Sequence, residues 1–306
     1  MTLDLAHSII EPHASLPDWL AARDTFIGAS ESPALFGCGY ANQSPLTIAM
    51  DKLGQREREE DEESEAMTWG TELQDAIATQ FGRRIGKEVS TFGRFTILRH
   101  ADHPHIGATL DNHLESESAV VELKNVGSYN AREWDGDEPP LRVQVQVQQQ
   151  MFCAGADHAY VVALIGGNRL TWKVVERHER FIGELVRRLD QFWAEIHAGK
   201  LPEIDGSAAT TEALKSLYRA TSGETVELPA ELEGWDAKLC GAKLAIKVAE
   251  AVKSEAENRI RAALGTAVRG VLPGGVEYHS PVTTVNHAAK EAYTSEYRAL
   301  RRKAAK

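Results

Sequence analysis

Short stretches in which apolar and polar residues alternate are interleaved with longer ones in which apolar residues return every three or four positions. The first helix is predicted at residues 17–24. A turn-rich stretch over 26–39 follows, where Ser30 or Ser32 is placed to cap a short helix with Pro33 in its first turn. A second helix is predicted over 44–53, and the acidic run 57–65 reads as a solvated segment. Trp69, Leu73, Ile77 and Phe81 recur every four residues and predict a helix over 67–84. Strands are predicted over 91–99, 106–114 and 119–124, then a polar loop over 130–140. Residues 141–154 are ambiguous: VQVQVQ alternates like a strand, but Val143, Val147 and Met151 share a helical face. Strands 158–165 and 169–175 flank Gly166-Gly167-Asn168, a hairpin signal. An amphipathic helix over 178–198 ends at Gly199 and Pro202.

The pattern changes near 201–207, which suggests one domain over 1–204 and a mainly helical extension over 205–306. In the extension, Trp235, Leu239, Ala242, Ile246 and Ala249 form a stripe on a long helix over 232–264, expected to pack on a partner helix. A small hairpin is expected over 270–285 around Pro273-Gly274-Gly275, and a basic helix over 298–306. Strands and helices in this order indicate an α/β fold, a central mixed β-sheet flanked by helices.

Bulk properties narrow the chemistry. The 306 residues carry a formal charge of −11, which argues against an electrostatic nucleic-acid coat but not against a local basic channel. Basic and acidic residues nearly balance beyond Asp205, so the acidic excess lies before it. Cys38, Cys153 and Cys240 are scattered and form no CxxC pair, which suits free thiols in a reducing cytoplasm and argues against a zinc or iron–sulfur centre. No signal peptide or membrane-length apolar segment is evident, so a soluble cytoplasmic protein is expected (host cytoplasm if phage-encoded).

Against that background residues 106–124 stand out. Side chains alternate along a strand, so Glu122 and Lys124 share one face of AVVELK while Val121 and Leu123 take the other. Asp111, on the preceding strand of the hairpin, can approach Glu122 across it. Two carboxylates and a backbone carbonyl, that of Leu123, suit Mg²⁺, a hard ion that prefers oxygen and retains waters. Such an ion acidifies a water and stabilises a leaving oxygen, with Lys124 placed to orient that water and offset phosphorane charge. His100, His103, His105 and His113 offer a zinc reading, disfavoured because Pro104 interrupts strand pairing. Trp69, Trp134 and Trp193 read as packing residues.

At this point the chain resembles the YqaJ-type viral recombinases, the group that includes the lambda-type phage exonuclease, within the PD-(D/E)XK nucleases. The resemblance spans roughly residues 18–193. WLAARDTFIGASE is similar to the family's opening signature, and the resemblance implies that Arg23 and Ser30 contact the 5′-phosphate of a DNA end. GATLD matches the Asp segment and places Thr109 where a phosphate-binding hydroxyl is usual. ELKNV matches the Glu-x-Lys motif, and QVQVQQQMF matches a Gln-x-Gln helix whose functional residue maps to Gln146, resolving 141–154 as helix. WGTELQ departs from the family by placing Gln74 where a metal-assisting Glu is usual; Gln74 could hold a metal-bound water but brings no charge, and Glu72 and Asp75 lie nearby. Leu110-Asp111-Asn112 replaces the usual Pro-Asp-Gly.

The resemblance implies a restriction-endonuclease-like core at about 67–176 and Mg²⁺-dependent 5′-to-3′ digestion of linear double-stranded DNA, with Mn²⁺ substituting. The 3′ single-stranded tails would serve phage-type recombination with a single-strand annealing protein as partner, and homo-oligomers occur in the family. Two alternatives stay open: an endonuclease for modified or branched DNA on the same core, and a non-catalytic module that binds DNA ends or a partner.

Overall fold

The structure, a computed structural model, describes residues 3–56, 65–218 and 223–282. They divide into two compact units, 1–219 and 220–306. The first begins with β1 (Ser8–Pro12), α1 (Leu16–Arg23), β2 (Ile27–Gly28), α2 (Ser32–Leu35) and α3 (Pro45–Lys52). Then come α4 (Glu65–Glu72), α5 (Gln74–Ile85), β3 (Val89–Thr91), β4 (Thr96–His100), β5 (His103–Ala108), β6 (Asn112–Leu114) and β7 (Ala119–Val126). It closes with α6 (Leu141–Ala154), β8 (His158–Ile165), β9 (Arg169–Glu176), α7 (Glu179–His197) and α8 (Ala208–Leu217).

The expected mixed sheet exists as two sheets, of order β1-β4-β5-β2 and β3-β6-β7-β8-β9. The strand predicted over 106–114 is divided between them: β5 belongs to the first sheet and β6 to the second. Residues 109–111 make the passage. The strand predicted over 91–99 is likewise split, into β3 and β4. In the second sheet β7 and β8 are parallel, joined through α6, while β6 and β9 flank them antiparallel.

Helix α6 packs against strands of both sheets, and α5 covers the far face of the second. The alternation of β7 follows from this sandwich: Val120 joins the main core with Val143, Val147 and Met151 of α6, whereas Val121 and Leu123 join Ile77, Ala78 and Phe81 of α5. The helix predicted over 67–84 is interrupted at Leu73, so its stripe changes phase. Ile77 and Phe81 are buried, but Trp69 is exposed and donates to Glu65 Oε2 at 3.0 Å. Trp134 is buried, as a packing residue should be.

Between both sheets, four of the five glutamines of α6 are out of reach of solvent: Gln146, Gln148, Gln149 and Gln150 are buried, while Gln144 is only partly so. Gln149 Nε2 donates to Ile27 O and Gly107 O, each at 2.8 Å, and so fixes β2 beside β5. Gly107 is needed there, since a Cβ would come within 2.6 Å of the Phe26 ring. A Gln149→Leu variant leaves two buried carbonyls without this donor and should cost about 1–3 kcal/mol of stability. A shifted urea midpoint with an unchanged slope would register that loss; an unchanged midpoint would argue against the brace.

Helix α8 packs on α3, with Thr210 Oγ1 donating to Ser44 Oγ at 2.9 Å. The compositional boundary at 204/205 therefore precedes a helix that adheres to the first unit. In the second unit, α9 (Leu232–Leu264) buries none of its residues, so the stripe of Trp235, Leu239 and Ile246 has no covering helix among the described residues. Its hairpin pairs β10 (Arg269–Val271) with β11 (Glu277–His279). The acidic run over 57–65, apart from Glu65 at the start of α4, and the basic helix expected at 298–306 lie outside the described residues. Cys153 is buried, Cys38 and Cys240 are partly so, and all three are free thiols. No described helix is long and apolar enough to cross a membrane.

Candidate active site

The last rung between β6 and β7 sets Asn112 against Val121, which brings Asp111 to the edge of β7 one step further on. Asp111 Oδ2 accepts the Leu123 N–H at 2.9 Å, and Oδ1 accepts Gln74 Nε2 at 3.1 Å. The N–H and C=O of one strand residue face the same side, so the Leu123 carbonyl points to this same unpaired edge. Glu122, 3% exposed, lies on the α6 face. Its Oε1 meets Lys124 Nζ at 2.6 Å and Gln146 Nε2 at 2.7 Å, and its Oε2 accepts Gln150 Nε2 at 2.6 Å. Lys124 Nζ also donates to Gln146 Oε1 at 3.2 Å. Asp111, Glu122 and Lys124 are thus brought together, and Gln74 reaches them from the start of α5. Glu72 and Asp75 are exposed.

The electrostatic strain of the site falls on Asp111. Burial raises the Asp111 pKa, the Glu122 charge raises it further, and the Leu123 N–H and Lys124 only partly oppose this, leaving it at about 7. For Lys124, burial favours the neutral amine, but the charges of Glu122 and Tyr40, the hydrogen bond to Glu122 and the charge of Asp111 outweigh it and raise its pKa. Two crowded carboxylates beside a free strand edge form a hard oxygen donor set that a divalent cation would relieve, with Asp111, Glu122 and the Leu123 carbonyl as ligands.

Arg23, Ser30, Thr109 and Gln146 meet as well. With Phe26, Gly28 and Ala29 they line a cavity of about 60 Å³. Arg23 ends α1, its guanidinium 4.7 Å from the Trp19 ring centre. Beneath it a buried ion pair holds the backbone: Lys52 Nζ lies 2.8 Å from Glu31 Oε2 and donates to Arg23 O at 2.8 Å. Glu31 in turn accepts Gly28 N–H at 2.6 Å. The capping role expected of Ser30 or Ser32 is not what forms. Glu31 occupies the N-cap of α2, Ser32 lies inside the helix and donates to Ala29 O, and Ser30 faces the cavity.

Some site residues were not singled out from the pattern. Gln150 shares Glu122 with Gln146, and its signal was the four-residue spacing that puts both on one helix face. Tyr40 and Arg142, with Lys124, Asn125 and Asn130, line a neighbouring recess of about 360 Å³. Lys124 Nζ and the Arg142 guanidinium lie 6.0 and 5.5 Å from the Tyr40 ring centre. Nothing local in the sequence linked Tyr40 to Lys124.

Comparison with known proteins bears on this arrangement. Residues 18–157 match the family model described as the YqaJ-like viral recombinase domain. The uncharacterized protein YqaJ of Bacillus subtilis (strain 168) is 32% identical over 262 residues, 84% of this chain and 81% of that protein. Among solved structures, an alkaline exonuclease from Laribacter hongkongensis aligns with a TM-score of 0.52 and 20% identity, over 60% of this chain and 94% of that one. The same exonuclease in complex with dAMP aligns with a TM-score of 0.51 and 21% identity, over the same shares. At these identities the likeness establishes a shared α/β fold.

Proposed function

This chain belongs to the YqaJ-like viral recombinase family, and from that premise we propose that it is a metal-dependent deoxyribonuclease, a 5′-to-3′ exonuclease acting on linear double-stranded DNA. One observation carries the reading: Gln146 is common to both halves of the site. It donates to Glu122 in the acidic centre and lines the cavity of Arg23, Ser30 and Thr109. A terminal phosphate held in that cavity would sit next to the acids.

In this proposal Asp111, Glu122 and the Leu123 carbonyl hold Mg²⁺, with Mn²⁺ able to replace it, and Gln74 steadies Asp111. The ion supplies a more acidic water and positive charge for the leaving oxygen. Lys124 orients the attacking water and balances the charge that grows on phosphorus. Gln146 and Gln150 hold Glu122 so that its carboxylate keeps one orientation. Arg23, Ser30 and Thr109 take the 5′-phosphate, a role for which a guanidinium and hydroxyls are suited. The products would be 3′ single-stranded tails for phage-type recombination, handed to a single-strand annealing protein, and a homo-oligomer would favour repeated cutting.

The test uses end-labelled linear duplexes and closed circles in Mg²⁺. Linear DNA with a 5′-phosphate should be shortened while circles persist. A 5′-hydroxyl end should slow digestion about 10–100-fold, the worth of one charge-assisted contact. Arg23→Ala should remove most of that discrimination. Cutting of circles would favour an endonuclease, and absence of cutting in both Mg²⁺ and Mn²⁺ would favour a binding module.

A further inference from the structure

Away from the acidic centre, α7 meets β5 across a cluster of aromatic and ligand-type side chains. Pro104 interrupts pairing here as expected: β5 is continuous, but its register with β4 passes from Arg99 opposite Gly107 to His100 opposite His103 and leaves Pro104, His105 and Ile106 without a partner on β4. Its neighbour β2 pairs only with Ile106 and Gly107, so Pro104 withholds no N–H that β2 needs. His103 and His105 therefore share one face of the strand. Both reach one oxygen of Asp190 on α7: His103 Nδ1 lies 2.9 Å and His105 Nε2 2.8 Å from Asp190 Oδ1. The ligand atoms of all three lie within 4.8 Å of one another, the one such group among the described residues. His113 stays apart, its ring 4.8 Å from that of Phe92.

We infer that His103, His105 and Asp190 form a second metal site, independent of the proposed cutting centre and selective for a borderline divalent ion such as Zn²⁺. Two imidazoles and one carboxylate are the donor set of many zinc sites that keep a fourth position open. Ligands about 2.0–2.1 Å from zinc stand roughly 3.3 Å apart at tetrahedral angles, so each contact to Asp190 would open by about half an ångström and the two ring nitrogens, now within 4.8 Å of each other, would settle at the same spacing. Each ring would bind through the nitrogen that now faces Asp190 and carry its proton on the other. The three side chains are 20–39% exposed, which leaves room for a water or an outside ligand in the fourth position. Trp193 stacks on His105 at 5.5 Å, and Phe152 lies 6.0 Å from His103, so both rings are held in place before an ion arrives. A bound ion would tie β5 of the first sheet to α7.

The experiment separates this site from the acidic one. Protein stripped with chelator is titrated with Zn²⁺ by calorimetry, in the parent and in an Asp111→Asn/Glu122→Gln variant. The expected result is one Zn²⁺ per chain that survives in that double variant. His103→Gln, His105→Gln and Asp190→Asn, made separately on the double variant, should each weaken it by at least about 100-fold. Co²⁺ should give a visible ligand-field spectrum in the double variant that each of these substitutions removes. Zn²⁺ at a hundredfold excess over its Kd should raise Tm by about 5–10 °C wherever all three ligands are present. Zinc binding absent from the double variant, or unchanged by all three ligand substitutions in chains that keep their far-ultraviolet circular dichroism, overturns the proposal. Neither of those results would touch the nuclease reading.

Discussion

Lys124→Ala is expected to leave an intact fold that binds DNA ends normally and digests them about 10²–10³ times more slowly in saturating Mg²⁺, the usual loss when one aimed positive donor is removed from a developing charge. The ammonium is well placed for this. It is paired with Glu122 at 2.6 Å, anchored on Gln146 and held charged by the acids around it. Its loss leaves Glu122 with two amide donors, Gln146 and Gln150, which keep the carboxylate hydrogen-bonded but do not neutralise it. The effect should therefore fall on kcat, with end affinity preserved. Single-turnover digestion at saturating protein measures the first quantity, and gel shifts in Ca²⁺ the second. A variant within tenfold of the parent would remove Lys124 from the chemistry. A weaker gel shift with unchanged single-turnover rate would make it a binding residue.

Asp111→Asn should do two opposite things. Cutting should fall by at least about 10³-fold, because a neutral amide cannot replace a carboxylate as ligand to a hard cation. Stability without divalent ions should rise. The folded Asp111 holds its proton up to about pH 7, against 3.8 as its ordinary value. A folded pKa raised in this way gives stability that is full below about pH 4 and is lost as pH climbs through about 7. The shift corresponds to a few kcal/mol at most. The asparagine variant cannot ionise, so at pH 8 in chelator it should melt at least about 5 °C above the parent, and the gap should close towards pH 4. Its amide oxygen can still accept the Leu123 N–H. Added Mg²⁺ should raise the parent's Tm at pH 8 and leave the variant's unmoved. A parent whose Tm stays flat between pH 4 and 8 in chelator would mean that Asp111 is not held protonated.

What could be read from the chain, and what could not, divides along physical lines. The period of two in AVVELK placed Glu122 and Lys124 on one face, because a strand buried on both sides leaves its residues no other arrangement. The approach of Asp111 followed from hairpin register. The division of 106–114 between two sheets did not, since β5 and β6 have the same local preference and only their partners differ. The run of glutamines was legible as a helix only through the family resemblance. Its alternation mimics a strand, and Gln is a surface residue by default, whereas here a helix lying against both sheets turns four amides inward as braces. Asp190 was invisible beside His103 and His105 because 85 or more residues separate them. Its position was set by the amphipathic phase of α7, which packs Leu189 inward and brings its neighbour round to β5.

The passage of the chain from one sheet to the other at residues 109–111 also decides when the proposed site is complete. Arg23 and Ser30 flank the first sheet, Glu122 and Lys124 belong to the second, and Thr109 and Asp111 lie on the seam. Either sheet alone would hold only part of that site. Under the proposed function, cutting therefore requires both halves to be joined, and a chain with one sheet misplaced would carry the right residues without a working arrangement.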